Sequence, residues 1–273
     1  MSLELSTLAH RRWLISFENA AAREAVAALE KRTGPLLQRL QRYEARLQSG
    51  RPLTARQRAQ AERDRARLLR LYRRANADVR AAAQQRMERA IQTELRVSVR
   101  NLSAGLPEGI TARAPGVDLR TLITSPTAGS PWTRRLDAQL VQTYQRVDAA
   151  LAIAINRGAS IPNAARLVGD AVRAVEGQQH QVTRLVRTEI QRVSNEAAQA
   201  TYRENRDVVK AVRYLATLDA RVCPICRPDH RKVYPLDAQG NYTGPTVPRH
   251  PNCRCFLSPV TRSIAEILAA AAA

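Results

Sequence analysis

A chain of 273 residues with 44 basic against 24 acidic side chains carries a formal charge of +20, and only two Phe and two Trp accompany its seven Tyr. That length suits two domains of about 100 to 200 residues each, and the scarcity of aromatics argues against a β-sandwich and for helices packed through Leu, Val, Ile and Ala. The charge points to a polyanionic partner, nucleic acid first, while the longest apolar run, Ala149 to Ile155, falls far short of the ~18 residues a membrane span needs. Lysine occurs only at positions 31, 210 and 232; the sign of the charge is informative and the preference for Arg is not. With Glu4 near the start and no apolar h-region behind it, no secretory signal is expected, and a reducing compartment follows.

In chain order, Leu5, Leu8, Trp13, Phe17, Val26 and Leu29 are spaced for a helix over residues 3–32 that Gly34-Pro35 should stop. A short helix from about 36 to 47 is expected next, closed by Ser49-Gly50 and Pro52. Thr54 suits the N-cap of a long helix running to about Val99 or Leu102. Its apolar positions Leu68, Tyr72, Ala75, Val79 and Ala82 step by 4, 3, 4 and 3, a coiled-coil-like seam. The rest of this helix is strongly basic, and Arg63, Arg67, Arg70, Arg73 and Arg74 are its candidate nucleic-acid contacts; a solvated face beside a helical partner is the competing reading. Residues 102–131 are broken by Pro107, Gly109, Pro115, Gly116, Pro126, Gly129 and Pro131 and read as a linker between domains.

Helices resume over about 131–156. Ser160 is expected to cap the next, with Pro162 in its first turn and Gly177 at its end. From Gln178 to Asn205, the positions Val182, Leu185, Val186, Ile190, Val193, Ala197 and Ala200 form one continuous stripe. The pattern then turns β-like, with strands expected over about 208–218, 232–234 and 254–260 before an Ala-rich helix from about Arg262. The expected fold class is therefore mainly α, with long N-terminal helices and a small α+β module at 208–260.

All four cysteines fall inside that module. Cys223 and Cys226 form C-P-I-C, the tight-turn spacing that lets two thiolates approach one ion at about 2.3 Å. Cys253 and Cys255 form C-R-C, which in a strand puts both sulfurs on one face and Arg254 on the other. His250, three residues before Cys253, competes for one position, so a four-cysteine site and a site of three cysteines and His250 both stand, beside reduced cysteines without metal. A closed site of four such ligands holds structural Zn²⁺ rather than a catalytic ion and supplies on the order of 10 kcal/mol to a module with little core. Clustered prolines (224, 228, 235, 245, 248, 251 and 259) stiffen the surrounding loops. His230 beside Asp229 admits a second reading, an HNH-like nuclease with a separate catalytic metal. That reading lacks a further well-placed histidine. His10 and His180 lie on helices and read as surface or partly buried polar residues.

Four stretches together carry a resemblance: R-T-E-I-Q-R-V-S-N-E-A (187–197), Y-L-A-T-L-D-A-R-V-C-P-I-C (214–226), K-V-Y-P-L (232–236) and P-R-H-P-N-C-R-C (248–255). They resemble the phage Mu F-like minor head proteins, also called phage head morphogenesis proteins, strongly over about 180–260 and with extension back to about 132. The resemblance implies a minor component of a tailed-phage virion, held inside the capsid near the portal and present in the host cytoplasm during assembly. It implies a role in procapsid assembly, DNA packaging or ejection rather than a reaction. The implied partners are portal protein, major capsid or scaffolding protein, and double-stranded DNA bound without sequence preference; no membrane is implied. Carried over by position, the motif residues are Arg187, Thr188, Glu189, Asp219 and Arg254 with the candidate ligands Cys223, Cys226, His250, Cys253 and Cys255. Glu189 and Asp219 read as structural rather than catalytic. Arg231 stands where the family usually has Gly, and Tyr214 where Trp is common.

The expected organisation is a basic helical region at 1–101, the linker at 102–131 and a Mu F-like domain at 132–273. A free zinc-ribbon nucleic-acid-binding protein is the alternative.

Overall fold

The computed structural model describes residues 3–126, 129–217 and 223–272, and it is mainly helical with one small antiparallel sheet. The elements are α1 (Leu3–Gln48), α2 (Ala55–Ala104), α3 (Leu119–Thr124), α4 (Trp132–Ile155), α5 (Ile161–Glu204), β1 (Val209–Leu215), β2 (Val233–Pro235), β3 (Phe256–Thr261) and α6 (Ile264–Ala272). Among the described residues, no helix is long and apolar enough to cross a membrane.

Two expected breaks do not occur. Helix α1 runs straight through Gly34-Pro35, because Leu29, Leu36, Leu40, Tyr43 and Leu47 form one buried stripe across the interruption. Gly34 has no Cβ to clash with the following proline ring, which relieves the usual restriction on the residue before Pro. Helix α5 likewise runs through Gly177, where Val175, Gln178 and Val182 are all buried. In both places tertiary burial outweighs the roughly 1 kcal/mol that Gly loses to Ala in a helix. Helix α2 starts as expected, since Thr54 and Gln57 form a capping box: the Gln57 amide donates to Thr54 Oγ1 (3.2 Å) and the Thr54 amide to Gln57 Oε1 (2.9 Å). Its buried seam is Leu68, Tyr72, Ala75, Val79 and Ala83, so Ala83 takes the place expected for Ala82.

The chain forms two compact units. One comprises residues 21–83 and 126–186, which contribute segments of α1, α2, α4 and α5. They pool apolar stripes including Leu40, Leu68, Leu136, Leu151 and Val168. Arg39–Asp64 (2.7 Å) and Arg65–Asp148 (2.9 Å) cross between its helices.

The other unit comprises residues 1–20, 84–125 and 187–273. Its sheet has the order β2-β1-β3, all antiparallel, with Val212 opposite Tyr234 on one side and Pro259 on the other. Leu102, Ala198, Tyr202, Val212, Tyr214 and Leu257 build its core. The proline-rich stretch ahead of α4 holds the short α3, which hydrophobic periodicity did not suggest. It is tied into this unit by polar contacts: Asn205 accepts the Arg113 amide (2.7 Å) and returns a bond to the Arg113 carbonyl (2.8 Å). Arg192, buried on α5, forks to Glu189 (2.7 Å) and Glu196 (2.6 Å) and to the carbonyls of Leu122 (2.8 Å) and Ile123 (3.1 Å) at the end of α3. One guanidinium thus neutralises a carboxylate that is 0% exposed and satisfies carbonyls that the end of α3 leaves open.

Arg192→Met is expected to destabilise the chain by about 3 to 5 kcal/mol in urea unfolding, because it takes from the buried Glu189 the guanidinium it pairs with. The double variant Arg192→Met with Glu189→Met is expected to recover part of that loss.

Candidate metal centre

Two chain segments bring five donors together. Cys223, Cys226 and His250 present ligand atoms within 4.8 Å of one another, and so do Cys226, Cys253 and Cys255, with Cys226 common to both groups. All four cysteines are unbridged; Cys226, Cys253 and Cys255 are buried and Cys223 is partly so.

The first segment is a knuckle. The Cys223 carbonyl accepts the amides of Cys226 and Arg227, both at 3.0 Å, and the chain continues into a 3-10 turn at Arg227–Asp229 that Pro228 stiffens. Asp229 holds this turn in place, accepting from Tyr234 Oη (2.7 Å), Lys232 Nζ (3.0 Å) and the Arg249 guanidinium. Those bonds, led by Tyr234 and Lys232, pull its carboxyl down to about 2. Arg231 follows with φ of 68°, a conformation glycine adopts freely and Arg does not.

The second segment, residues 250–255, reaches the site before β3 begins at Phe256. The strand expected around Arg254 is therefore absent there. The alternation nevertheless survives, with Cys253 and Cys255 buried and Arg254 half-buried. Neighbouring elements clamp its backbone. Thr188 Oγ1 on α5 accepts the Asn252 amide (3.0 Å), and Gln191 Nε2, one turn further on, donates to the Cys255 carbonyl (2.5 Å). The Arg254 carbonyl accepts from Thr217 Oγ1 (2.7 Å) and from Arg11 Nε on α1 (3.1 Å). Asn252, at φ 58°, makes the turn that lets both cysteines face inward.

The donor chemistry fits zinc. A tetrahedral ion with Zn–S of about 2.3 Å sets sulfurs about 3.8 Å apart, and within each group of three the donor atoms lie no more than 4.8 Å from one another. His250 Nδ1 lies 2.9 Å from the Pro251 carbonyl, which can only accept. The proton is thereby placed on Nδ1, and the Nε2 lone pair, 3.4 Å from Cys226 Sγ, is left for a metal. A bond from Cys255 leads in holding Cys253 down at about 5, while Cys255 is pushed up by that bond and by burial. Burial does the same to Cys226. Tyr214 is fully buried; its hydroxyl reaches no oxygen or nitrogen acceptor and sits beside the Cys226 and Cys255 sulfurs.

The remaining motif residues fall around this centre or outside the described chain. Arg187 and Arg254 lie near the buried Glu18 of α1, whose carboxyl burial raises to about 7. Glu189 faces Arg192 and not the cysteines. Asp219 lies outside the described residues. His230 is not among the clustered donors; its Nδ1 accepts the Ala216 amide (3.2 Å). Arg63, Arg67, Arg70, Arg73 and Arg74 belong to the other unit, on exposed positions of α2. Arg11, Thr217, Gln191 and Arg249 were not singled out as site residues, since they support the site through backbone carbonyls and long-range pairs that no local pattern encodes.

Asp229→Asn is expected to cost about 1 to 2 kcal/mol at pH 7 in urea unfolding. A carboxyl lowered from 3.8 to about 2 on folding contributes fully above about pH 4, and the contribution disappears as pH falls through about 2. The gap between wild type and variant is therefore expected to close over that window.

No curated protein and no solved structure matches this chain. A family model does: the one described as phage Mu protein F like protein matches residues 145–258. The matched region takes in α5, the three strands up to Ser258, and all five clustered donors. Over residues 145–258, somewhat less than half of its length, the chain is similar to the phage Mu protein F like family.

Proposed function

We propose that this protein is a minor head protein of a tailed phage, carried in the virion inside the capsid near the portal, where it serves assembly, DNA packaging or ejection as a structural component. Residues 132–273 are its head-morphogenesis domain, 1–101 a basic helical region and 102–131 the segment joining them in sequence. The observation that carries this reading is the family match over 145–258, which supports a head morphogenesis protein.

A structural Zn²⁺ held by Cys223, Cys226, Cys253 and Cys255, with His250 as the alternative fourth ligand, cross-links the knuckle to the 250–255 segment. A filled tetrahedral site has no open position for water and serves stability rather than catalysis. Portal protein and a major capsid or scaffolding protein are the protein partners.

Double-stranded DNA is the polyanion that suits the charge. In the unit holding most of α2, Arg32, Arg39, Arg65 and Arg80 are consumed by Asp78, Asp64, Asp148 and Asp137. Arg67, Arg70, Arg73 and Arg74 are exposed and have no acidic partner among the described residues, and Arg63 meets only the neutral Gln60. Cations left free on one helix neutralise phosphates without reading bases.

Binding to unrelated duplexes at fixed salt is expected to be equal within a few-fold and to weaken steeply as salt rises. Replacing Arg63, Arg67, Arg70, Arg73 and Arg74 with Gln is expected to flatten the salt slope by about 0.9 for each phosphate contact removed. Discrimination among duplexes of about 10³ or more would favour a sequence-reading zinc-ribbon protein instead. Particles assembled in the presence of the tagged chain are expected to retain it with the portal; its absence from particles contradicts the head-protein reading.

A further inference from the structure

Arg11 lies outside the family-matched region, 243 residues before the backbone it holds, yet it is bound into the metal centre. Its side chain is 3% exposed. Nε donates to the carbonyl of Arg254, the residue between Cys253 and Cys255, at 3.1 Å, and the guanidinium lies 5.9 Å from the centre of the Phe256 ring. Both Nη atoms are buried and find no hydrogen-bond partner among the described residues. A fully desolvated guanidinium with two unused donors is expensive unless negative charge lies close by.

Two carboxylates act on Arg11, Glu18 and Glu94, and they do not balance its charge: Glu94 already holds His10 Nε2 (2.8 Å) and Ser98 Oγ (3.0 Å). Glu18, seven residues on along the same face of α1, lies near three guanidiniums, those of Arg11, Arg187 and Arg254, and its own carboxyl titrates near 7. Cationic charge is therefore in surplus. The negative groups that also act on Arg11 include Cys253 and Cys255. Zinc bound by four thiolates carries a net charge of −2, and by three thiolates and an imidazole −1. Either complex supplies the anion that the Arg11 pocket lacks, whereas four neutral thiols do not.

We infer that Arg11 is a positioning residue for the zinc site: it supplies the buried counter-charge to the metal–thiolate complex and thereby makes docking of the first turns of α1 depend on bound metal. This rests on the zinc reading above. The metal module is then incomplete within residues 145–258, and the N-terminal helix acts as a latch that closes when the thiolates are metallated. The coupling is reciprocal, as any linkage between two binding equilibria must be: the docked helix tightens the metal, and the metal holds the helix.

The full chain provides the test, as wild type, Arg11→Met, Arg11→Lys and Cys226→Ala, by zinc competition against a chromogenic chelator and by hydrogen exchange with and without zinc. Wild type is expected to bind one zinc tightly, and Cys226→Ala to lose it. Arg11→Met is expected to bind zinc about 10- to 100-fold more weakly, the range typical for outer-sphere partners. Arg11→Lys, which has a similar stem and keeps the charge, is expected to recover much of that loss; a role confined to packing would leave the Met and Lys variants alike. Zinc is expected to slow exchange over residues 6–20 in wild type and to do so less in Arg11→Met. Equal zinc affinity of wild type and Arg11→Met, or exchange at residues 6–20 indifferent to zinc, overturns the latch while leaving the zinc site standing. Wild-type protein that binds no zinc overturns the site and the latch together.

Discussion

The convergence of four sulfurs and one imidazole, drawn from two segments separated by a long loop, is the constraint on which the C-terminal structure depends. Between Arg227 and Pro248 the chain is mostly turns, with one three-residue strand. Such a stretch buries too little apolar surface to hold itself against chain entropy. What fastens it is a small set of strong polar contacts: Asp229 with its three donors, and the Cys226 and Cys253 groups meeting in the interior. A divalent ion at that meeting point turns an arrangement of weak contacts into a cross-link.

The supporting elements explain why the cluster is set where it is. Helix α5 contributes no metal ligand, yet Thr188 and Gln191 on one of its faces bind the backbone on both sides of Cys253. On the same helix, Glu189 pairs with Arg192, which also donates to the Leu122 carbonyl of α3. A single stretch of α5 therefore organises both the metal loop and the proline-rich segment, which accounts for the buried Thr188, Glu189, Gln191 and Arg192 along it. The chemistry of the site and the rigidity of the helix beneath it are one device, in the sense that loosening either would misplace Cys253 and Cys255.

Much of this was legible in the residues alone because the relevant signals are local. The C-P-I-C and C-R-C spacings point to a cluster able to hold a metal without any knowledge of the fold, and the period of Leu68, Tyr72, Ala75 and Val79 identifies α2. Gly34-Pro35 and Gly177 misled because their helix-breaking tendency is also local, while the buried stripes that override it are tertiary. Helix α3 escaped notice because six residues capped by Asp118 carry too little periodicity to read. Arg11 was invisible among so many arginines: its role depends on a carbonyl at the far end of the chain. Arg231 is the reverse case. It was noted as a departure from the glycine common in the family, and its left-handed backbone shows the conformation which that glycine would serve.

X-ray absorption at the zinc edge of the purified full chain tests the central claim most directly. The account predicts one zinc per chain with three or four sulfurs at about 2.3 Å, any remaining ligand being nitrogen at about 2.0 to 2.1 Å. A chain purified without zinc, or a first shell made of oxygen and nitrogen, would contradict it.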